Sequence, residues 1–527
     1  MSAPPPVEID RLGVDDIFTQ QARSSPDRQF LVHRALVLTY AQTDELVARC
    51  AAALAAVGVS HGDRVAILCA TRPEATIVFL ACARLGAVYL GLGTRVHARE
   101  LTFVCEDASP SFIFSLREFE GRQYSDDVLA AAAAAGMPQP VLMTVGKDGS
   151  LAPEFSAFLD STASVPLAQI DSSDAVAIIY TSGTTGRPKG AVISHRGLIN
   201  IRHLFTIAPA DQPRLLSVMP IDHIGYLGNE LMAALLTGGT LVQLPRFDAR
   251  DVAETIQAHR VTIWQGAIPT MLTRLVALDD LDSFDLSSLQ RVWWAGQLPE
   301  RVGAKILEFA DEVGASYGMT ELASITMTRP SDPLGVHIGT VGVPLADIEV
   351  RLEPLPSSSD SSSGAAASQE VFLRRTGMFL GYWNRPVETA EAVDDDGWFR
   401  TGDLGHWDGD GNLVIDGRSK LLVRSGGYNL SPFEIEIALE SHPGVAMAIV
   451  VGVPDDEFGE AAHVSWVAAS GSRVVEKDLR AHLQERLASY KIPKVFHEYR
   501  DLPLLANGKA NRVQIRTSIV SPSSAPR

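Results

Sequence analysis

The sequence predicts an α/β protein: a large N-terminal domain of βαβ subdomains with parallel-rich sheets, then a small hinged α+β C-terminal domain. Three observations carry this. Apolar strands alternate with helices through the first four hundred residues. The pattern changes after glycines and charges cluster in GNLVIDGRSKLLVRSGGYNLSP, residues 411–432. A glycine-rich loop, YTSGTTGRPKG (Tyr180 to Gly190), leaves the end of the apolar run AVAIIY.

The rhythm is clear in GDRVAILCATRPEATIVFLACARLGAVYLG. Val65 to Cys69 reads as a short strand, Pro73 can open a helix, and Gly86 can close it before a strand at Ala87 to Leu90. TLVQLPRFDARDVAETIQAHRVTIWQ and LQRVWWAGQLPERVGAKILEFADE repeat the pattern. Such alternation predicts parallel sheets covered on both faces. LAAAAAAGM predicts a helix ending at Gly136, and the Ser/Ala/Gly run at residues 354–369 a surface loop within a domain. The expected domains are 1–416 and 417–527. In the second, VAMAIVVGV, the turn PDDEFGE and AHVSWVAA predict two strands, followed by an amphipathic helix over VEKDLRAHLQERLASY.

Composition narrows the function classes. The chain has 527 residues, 46% hydrophobic, and a formal net charge of −18. An acidic chain without a basic block is not expected to bind nucleic acid or an anionic membrane, so any anionic ligand must be held by local features. Cys50, Cys69, Cys82 and Cys105 show no CxxC or Cys/His pairing and read as reduced buried thiols. MSAPPPVEID has neither a basic nor an apolar segment of a signal peptide. No run reaches the roughly 18 to 20 apolar residues needed to span a bilayer. The expected location is the cytoplasm. The oligomeric state is not legible.

The loop at Tyr180 to Gly190 has the chemistry of a phosphate cradle. Its glycines let backbone N–H groups approach a ligand, its Ser and Thr residues add hydroxyl donors, and Lys189 adds a charge. It is not the GxxxxGK[ST] loop, because the glycine and lysine spacing differs and Pro188 precedes the lysine.

With four further motifs in order, the chain resembles the adenylate-forming (AMP-binding) superfamily of acyl-CoA and aryl-CoA synthetases, peptide-synthetase adenylation domains and luciferases. The motifs are SYGMTE (Ser316 to Glu321), TGD (Thr401 to Asp403), GRSK (Gly417 to Lys420) and NGKANR (Asn507 to Arg512). The resemblance implies ATP and Mg2+ as cofactors, a carboxylic acid activated to an acyl-adenylate, and CoA as the co-substrate thiol. It also implies the site residues. Thr181, Ser182, Gly183, Thr184, Thr185, Gly186 and Lys189 would hold the ATP phosphates, and Ser316, Tyr317, Gly318, Met319 and Thr320 would flank the nucleotide, with Tyr317 on adenine. Glu321, with Thr181, would bind the metal. Asp403 would accept from the ribose hydroxyls, and Arg418 would reach ribose or phosphate. Lys509 would offset charge as carboxylate and α-phosphate react, and Lys420 would be the hinge. Ser425, Gly426 and Gly427 would face the thiol arm.

His223, in PIDHIGYLG, would serve as a gate or carboxylate-side contact, and Tyr226, Trp294, Gly296, Gln297 and Met319 would wall the acid pocket. That lining is apolar and aromatic. Asp222 aside, no acidic residue is placed to hold an α-amino group, which points to a fatty, aryl or similar acid. Two departures stand out: Ala506 replaces a hydroxyl residue ahead of Lys509, and Tyr428 stands where many CoA ligases carry glutamate. The second keeps open a carrier-protein thiol acting in trans, or an amine, as the acceptor. A non-catalytic nucleotide-binding relative is a further alternative, disfavoured by Lys189, Glu321, Asp403 and Lys509 occurring together.

Overall fold

The computed structural model describes residues 11–146, 150–160, 170–181, 188–200, 212–354, 369–375, 377, 379–425, 428–455, 457–469, 471–505 and 510–520. Helix Pro73–Leu85 starts on its proline and ends at Gly86, whose φ of 70° is the left-handed cap that glycine adopts at least cost. Every residue of this helix is buried, as its largely apolar surface requires. Its one arginine, Arg84, is held by Asp15 at 2.9 Å and Asp44 at 2.6 Å. The flanking strands are Arg64–Leu68 and Val88–Leu92, each displaced by about one residue from the sequence expectation. Asp248 caps helix Ala249–His259 by accepting from the N–H groups of Arg250 and Asp251. The helix that closes the alanine run spans Ser125–Ala134, with Gly136 at positive φ.

Two large sheets form the N-terminal domain. One has nine strands, and its parallel middle runs through Glu312–Met319, Arg291–Ala295, Ile263–Ala267, Arg214–Ser217, Thr240–Gln243 and Gln29–His33. The other has seven, with Ala175–Thr181 parallel to Val88–Leu92. Beyond residue 343 the βαβ expectation fails. Strands Glu349–Pro354, Gln369–Arg374, Phe399–Trp407 and Leu413–Arg418 make a wholly antiparallel sheet. Its first hairpin flanks the Ser/Ala/Gly run, most of which lies outside the described residues. Antiparallel neighbours need no crossover helix, and among the described residues the single helix in this stretch, Pro386–Ala392, does not alternate with the strands.

The expected division between 416 and 417 falls inside strand Leu413–Arg418, where Gly417 pairs with Leu404 and Arg418 with Asp403. The chain leaves that sheet at the short turn Ser419–Leu421. The smaller domain has its own cores. One gathers Val423, Leu439, Val450, Val464, Trp466 and Leu483; another joins Ile449, Val453 and Ile515. Its long strands are Val445–Asp455 and Gly459–Ala468. Helix Glu476–Gln484 stops short of the expected Tyr490, because the chain turns there to lay Leu487 and Ile492 on the same core. All four cysteines are free and buried, and among the described residues no helix is long and apolar enough to cross a membrane.

Candidate active site

The phosphate-cradle segment joins two antiparallel strands. Thr181 ends Ala175–Thr181, Lys189 begins Lys189–Ser194, and the two are register partners. The loop is therefore pinned at its base, and a strand, not a helix, follows it. Thr181 Oγ1 lies 3.5 Å from the Lys189 carbonyl. Ser182, Gly183, Thr184, Thr185 and Gly186 lie outside the described residues.

Strand Phe379–Tyr382 pairs with Lys189–Ser194, aligning Tyr382 with Ala191. This carries Tyr382 between two expected site residues. Its hydroxyl donates to Glu321 Oε1 at 2.6 Å, and Lys189 Nζ stands 5.2 Å from its ring centroid. Burial, reinforced by Glu321, pushes the Tyr382 hydroxyl pKa up, so it stays a donor. Glu321 is 8% exposed. Sequence reading missed Tyr382; a Gly-Tyr-Trp run ending a short strand was the available signal.

A second group forms where strand Glu312–Met319 meets the antiparallel sheet. The Tyr317 hydroxyl donates to Asp403 Oδ2, and Arg418 Nε donates to Asp403 Oδ1 at 2.7 Å. Asp403 is 2% exposed, and its own N–H bonds Thr401 Oγ1. Burial and then the adjacent Asp403 push the Tyr317 hydroxyl pKa well up. Tyr317 is thus anchored by its hydroxyl end, and Arg418 is paired with Asp403 across register partners. Ser316 Oγ donates to the Trp294 carbonyl. Past Glu321 the chain turns through Ala323, a non-glycine residue at φ 51°. Buried Arg375 holds this turn, donating to the carbonyls of Leu322 and Ser324 and pairing with Asp347. Sequence reading did not single it out.

The residues expected on the acid side are arranged unevenly. His223 Nδ1 accepts from the Gly225 N–H at 2.9 Å. It precedes a π-helix, Gly225–Met232, an uncommon form that favours functional segments. Tyr226 on that helix is fully buried, with its hydroxyl 2.8 Å from Thr76 Oγ1. Trp294 is fully buried. Gly296 has φ 93°, and a Cβ there would meet nothing within 4 Å. Gln297 Nε2 reaches the Ile415 carbonyl at 3.4 Å, and Met319 is half-buried. The Asp222 carboxylate accepts from its own N–H and that of Gly93, and burial raises its pKa to about 6.

Glu230, also missed, is fully buried on the π-helix. Its Oε1 accepts from Val218 and Met219 N–H groups, and its Oε2 from the Ser217 hydroxyl. It clamps the chain just ahead of PIDH. A charge inside the apolar run GYLGNELMAALL was the signal.

On the smaller domain, Lys420 is exposed on the turn Ser419–Leu421, and Ser425 pairs with Gly459. Gly426, Gly427 and Lys509 lie outside the described residues. The segment carrying Lys509 is closed at its base by the Leu504↔Ala510 bridge and by Asn511 N–H to the Pro503 carbonyl. Arg512, three residues on, forms a two-pronged pair with Glu436 and donates to the Val450 carbonyl.

Comparison with known proteins matches the model of the AMP-binding enzymes over residues 18–383 and that of the AMP-binding enzyme C-terminal domain over 434–509. The chain belongs to the AMP-binding enzyme family. It is 34% identical over 507 residues to a feruloyl-CoA synthase from an Amycolatopsis species, covering 94% of this chain and 97% of that one. The solved structure of ATP-bound MatB from Rhodopseudomonas palustris superposes with a TM-score of 0.83 at 29% identity, covering 97% of this chain and all of the other. The amide bond synthetase McbA from Marinactinospora thermotolerans superposes at 0.80 with 26% identity, over 96% of this chain and 99% of the other. Among the AMP-binding enzymes, then, similar chains include both a CoA ligase and an amide synthetase.

Proposed function

We propose that this AMP-binding enzyme is an acid–thiol ligase with two half-reactions. A carboxylate oxygen attacks the α-phosphorus of ATP, forming an acyl-adenylate as pyrophosphate leaves. The thiol of CoA then attacks the acyl carbon; the C–O bond to AMP breaks, AMP leaves with that electron pair, and the thiol proton is released. The observation that carries this reading is a pair of neighbouring groups, Glu321 with Tyr382 and Lys189, and Asp403 with Tyr317 and Arg418, close enough that the Glu321 charge acts on Arg418.

In this reading Thr181 to Gly186 and Lys189 hold the phosphates, and the Asp403 carboxylate accepts from the ribose, sharing its load with Arg418. Mg2+ suits the oxygen donors present: the Glu321 carboxylate and Thr181 hydroxyl would hold it, and bound there it would neutralise phosphate charge. Lys509 approaches the reacting carboxylate and α-phosphate. We place the domain division at Ser419–Leu422, with Lys420 as the hinge about which the small domain turns to bring Ser425, Gly426 and Gly427 to the thiol. The free, buried cysteines support a cytoplasmic location.

Asp222 is engaged by backbone N–H groups, and a Cβ on Gly93 would lie 2.6 Å from its carboxylate. That supports a fatty, aryl or similar acid over an amino acid. Tyr428 and the likeness to an amide synthetase favour one second reading: adenylation followed by transfer to an amine or to a carrier-protein thiol.

The test is AMP release over a panel of fatty, aryl and amino acids, with and without CoA, with products identified by mass. One acid giving a CoA-dependent thioester is the expected result. AMP formation indifferent to CoA moves the acceptor to an amine or carrier, and no AMP from any acid sinks adenylation. Tyr382→Phe removes the O–H that holds Glu321. It should slow acid-dependent pyrophosphate release about tenfold, the scale of one hydrogen bond to a charged group, and lower the Tm modestly.

A further inference from the structure

We propose that Arg95 and Arg301 are positioning residues: two clasps from the large domain that hold the small domain in the arrangement serving adenylate formation. The proposal rests on the two-step reading above and extends it to residues outside the motifs.

Arg301 lies on the large domain's helix Glu300–Ile306. Its Nη1 donates to the carbonyls of Glu440 at 3.0 Å and His442 at 3.3 Å, and its Nη2 to Val445 at 2.5 Å. The first two sit at and just past the end of the small domain's helix Pro432–Glu440, and Val445 opens the strand that follows. A helix C-terminus leaves carbonyls unsatisfied and carries partial negative charge, so a guanidinium is well matched to it.

Arg95 makes the second attachment. Its Nη1 donates to the Leu505 carbonyl at 2.9 Å, four residues before Lys509. The backbone around Arg95 is held on both sides. The Thr94 carbonyl accepts from the Tyr124 hydroxyl at 2.6 Å and from Arg122, and the Val96 carbonyl also accepts from Arg122. Gly93, next in line, bonds the Asp222 carboxylate, and Asp222 adjoins His223. Arg95 therefore ties the base of the Lys509 segment to the loop that grips the acid side of the site.

Both arginines donate to backbone carbonyls, so their hold does not depend on the small domain's side chains at those points. They grip two different elements. With the chain connection at Lys420, that makes three points, enough to fix an orientation. Rotation about Lys420 must break the two attachments that lie away from the hinge, four hydrogen bonds in all. Their loss therefore favours leaving the adenylating arrangement. Both arginines are exposed, so truncation should cost little folding stability.

The test uses full-length R95A, R301A and the double variant, with R250A as control, since Arg250 pairs with Asp280 inside the large domain. Step one is read as acid-dependent exchange of pyrophosphate into ATP. Step two is thioester formation from supplied acyl-adenylate and CoA. The double variant should slow step one at least about fivefold, a typical coupling between sites, and leave step two unchanged or faster. R301K, which keeps the charge but loses the fork, should fall between. A readout independent of activity is tryptic cleavage after Lys420, which should quicken in the ligand-free double variant and stay unchanged in R250A. Equal loss of both steps, or unchanged cleavage, overturns the clasps. Absence of exchange in the wild type with every acid overturns the adenylation reading instead, and cleavage still decides the clasps.

Discussion

Lys509→Ala should lower acid-dependent pyrophosphate release on the order of 100-fold or more while leaving thioester formation from supplied acyl-adenylate near the wild-type rate. The first half-reaction brings a carboxylate against the polyphosphate of ATP, and a positioned cation offsets that crowding of negative charge; losing one such electrostatic contact costs about 100- to 1,000-fold. In the second half-reaction the crowding is gone, because pyrophosphate has left. Folding should be unaffected. The segment's base is closed by backbone bonds, Leu504 to Ala510 and Asn511 to Pro503, and by the Arg512–Glu436 pair, none of which uses the lysine side chain. Single-turnover assays of each step measure this. Equal loss in both would count against a small domain that presents different faces in turn.

Glu230 should show the largest effect on stability. Glu230→Ala leaves the Val218 and Met219 N–H groups buried without an acceptor and opens a cavity, a combination expected to cost about 3–5 kcal/mol. It should also loosen the chain ahead of His223 and slow adenylation. Glu230→Gln keeps the acceptor oxygen and should fold normally. The pH dependence separates the two forms of this clamp. Burial raises the Glu230 pKa from 4.5 to about 8. Below 4.5 the carboxyl is protonated in both folded and unfolded chains, so this group carries no penalty. As pH rises from 4.5 to about 8, the unfolded chain loses the proton while the folded one keeps it, so this group's contribution falls and then levels off. The Tm of Glu230→Gln should therefore rise relative to wild type between pH 5 and pH 8. A constant difference would mean that Glu230 is ionised in place.

Much of this molecule was legible locally. Pro73 and Gly86 bracket a helix because their backbones are constrained or free in ways that depend on no neighbour. The motif residues could be named because the family's order is preserved along the chain. The antiparallel sheet from Glu349 to Arg418 was not legible, since alternation in short strands does not state which strand is the partner. Nor was the point where the chain leaves this sheet, because Gly417 and Arg418 read as a linker until their pairing with Leu404 and Asp403 is known.

By itself the sequence determined the fold class, the two-domain plan and the candidate residues Thr181, Lys189, Tyr317, Glu321, Asp403, Arg418 and Lys509. The fold class and plan follow from periodicity and composition shifts, and the candidate residues from the resemblance that the ordered motifs carry; all are properties of neighbours in the chain. Only the tertiary structure decided what holds them. Tyr382 reaches Glu321 through strand pairing, Glu230 grips Val218 and Met219 from a π-helix, and Arg95 and Arg301 clasp carbonyls more than a hundred residues away. A hydrogen bond spans about 3 Å in space whatever the separation in sequence, and that distance exists only once the chain has folded.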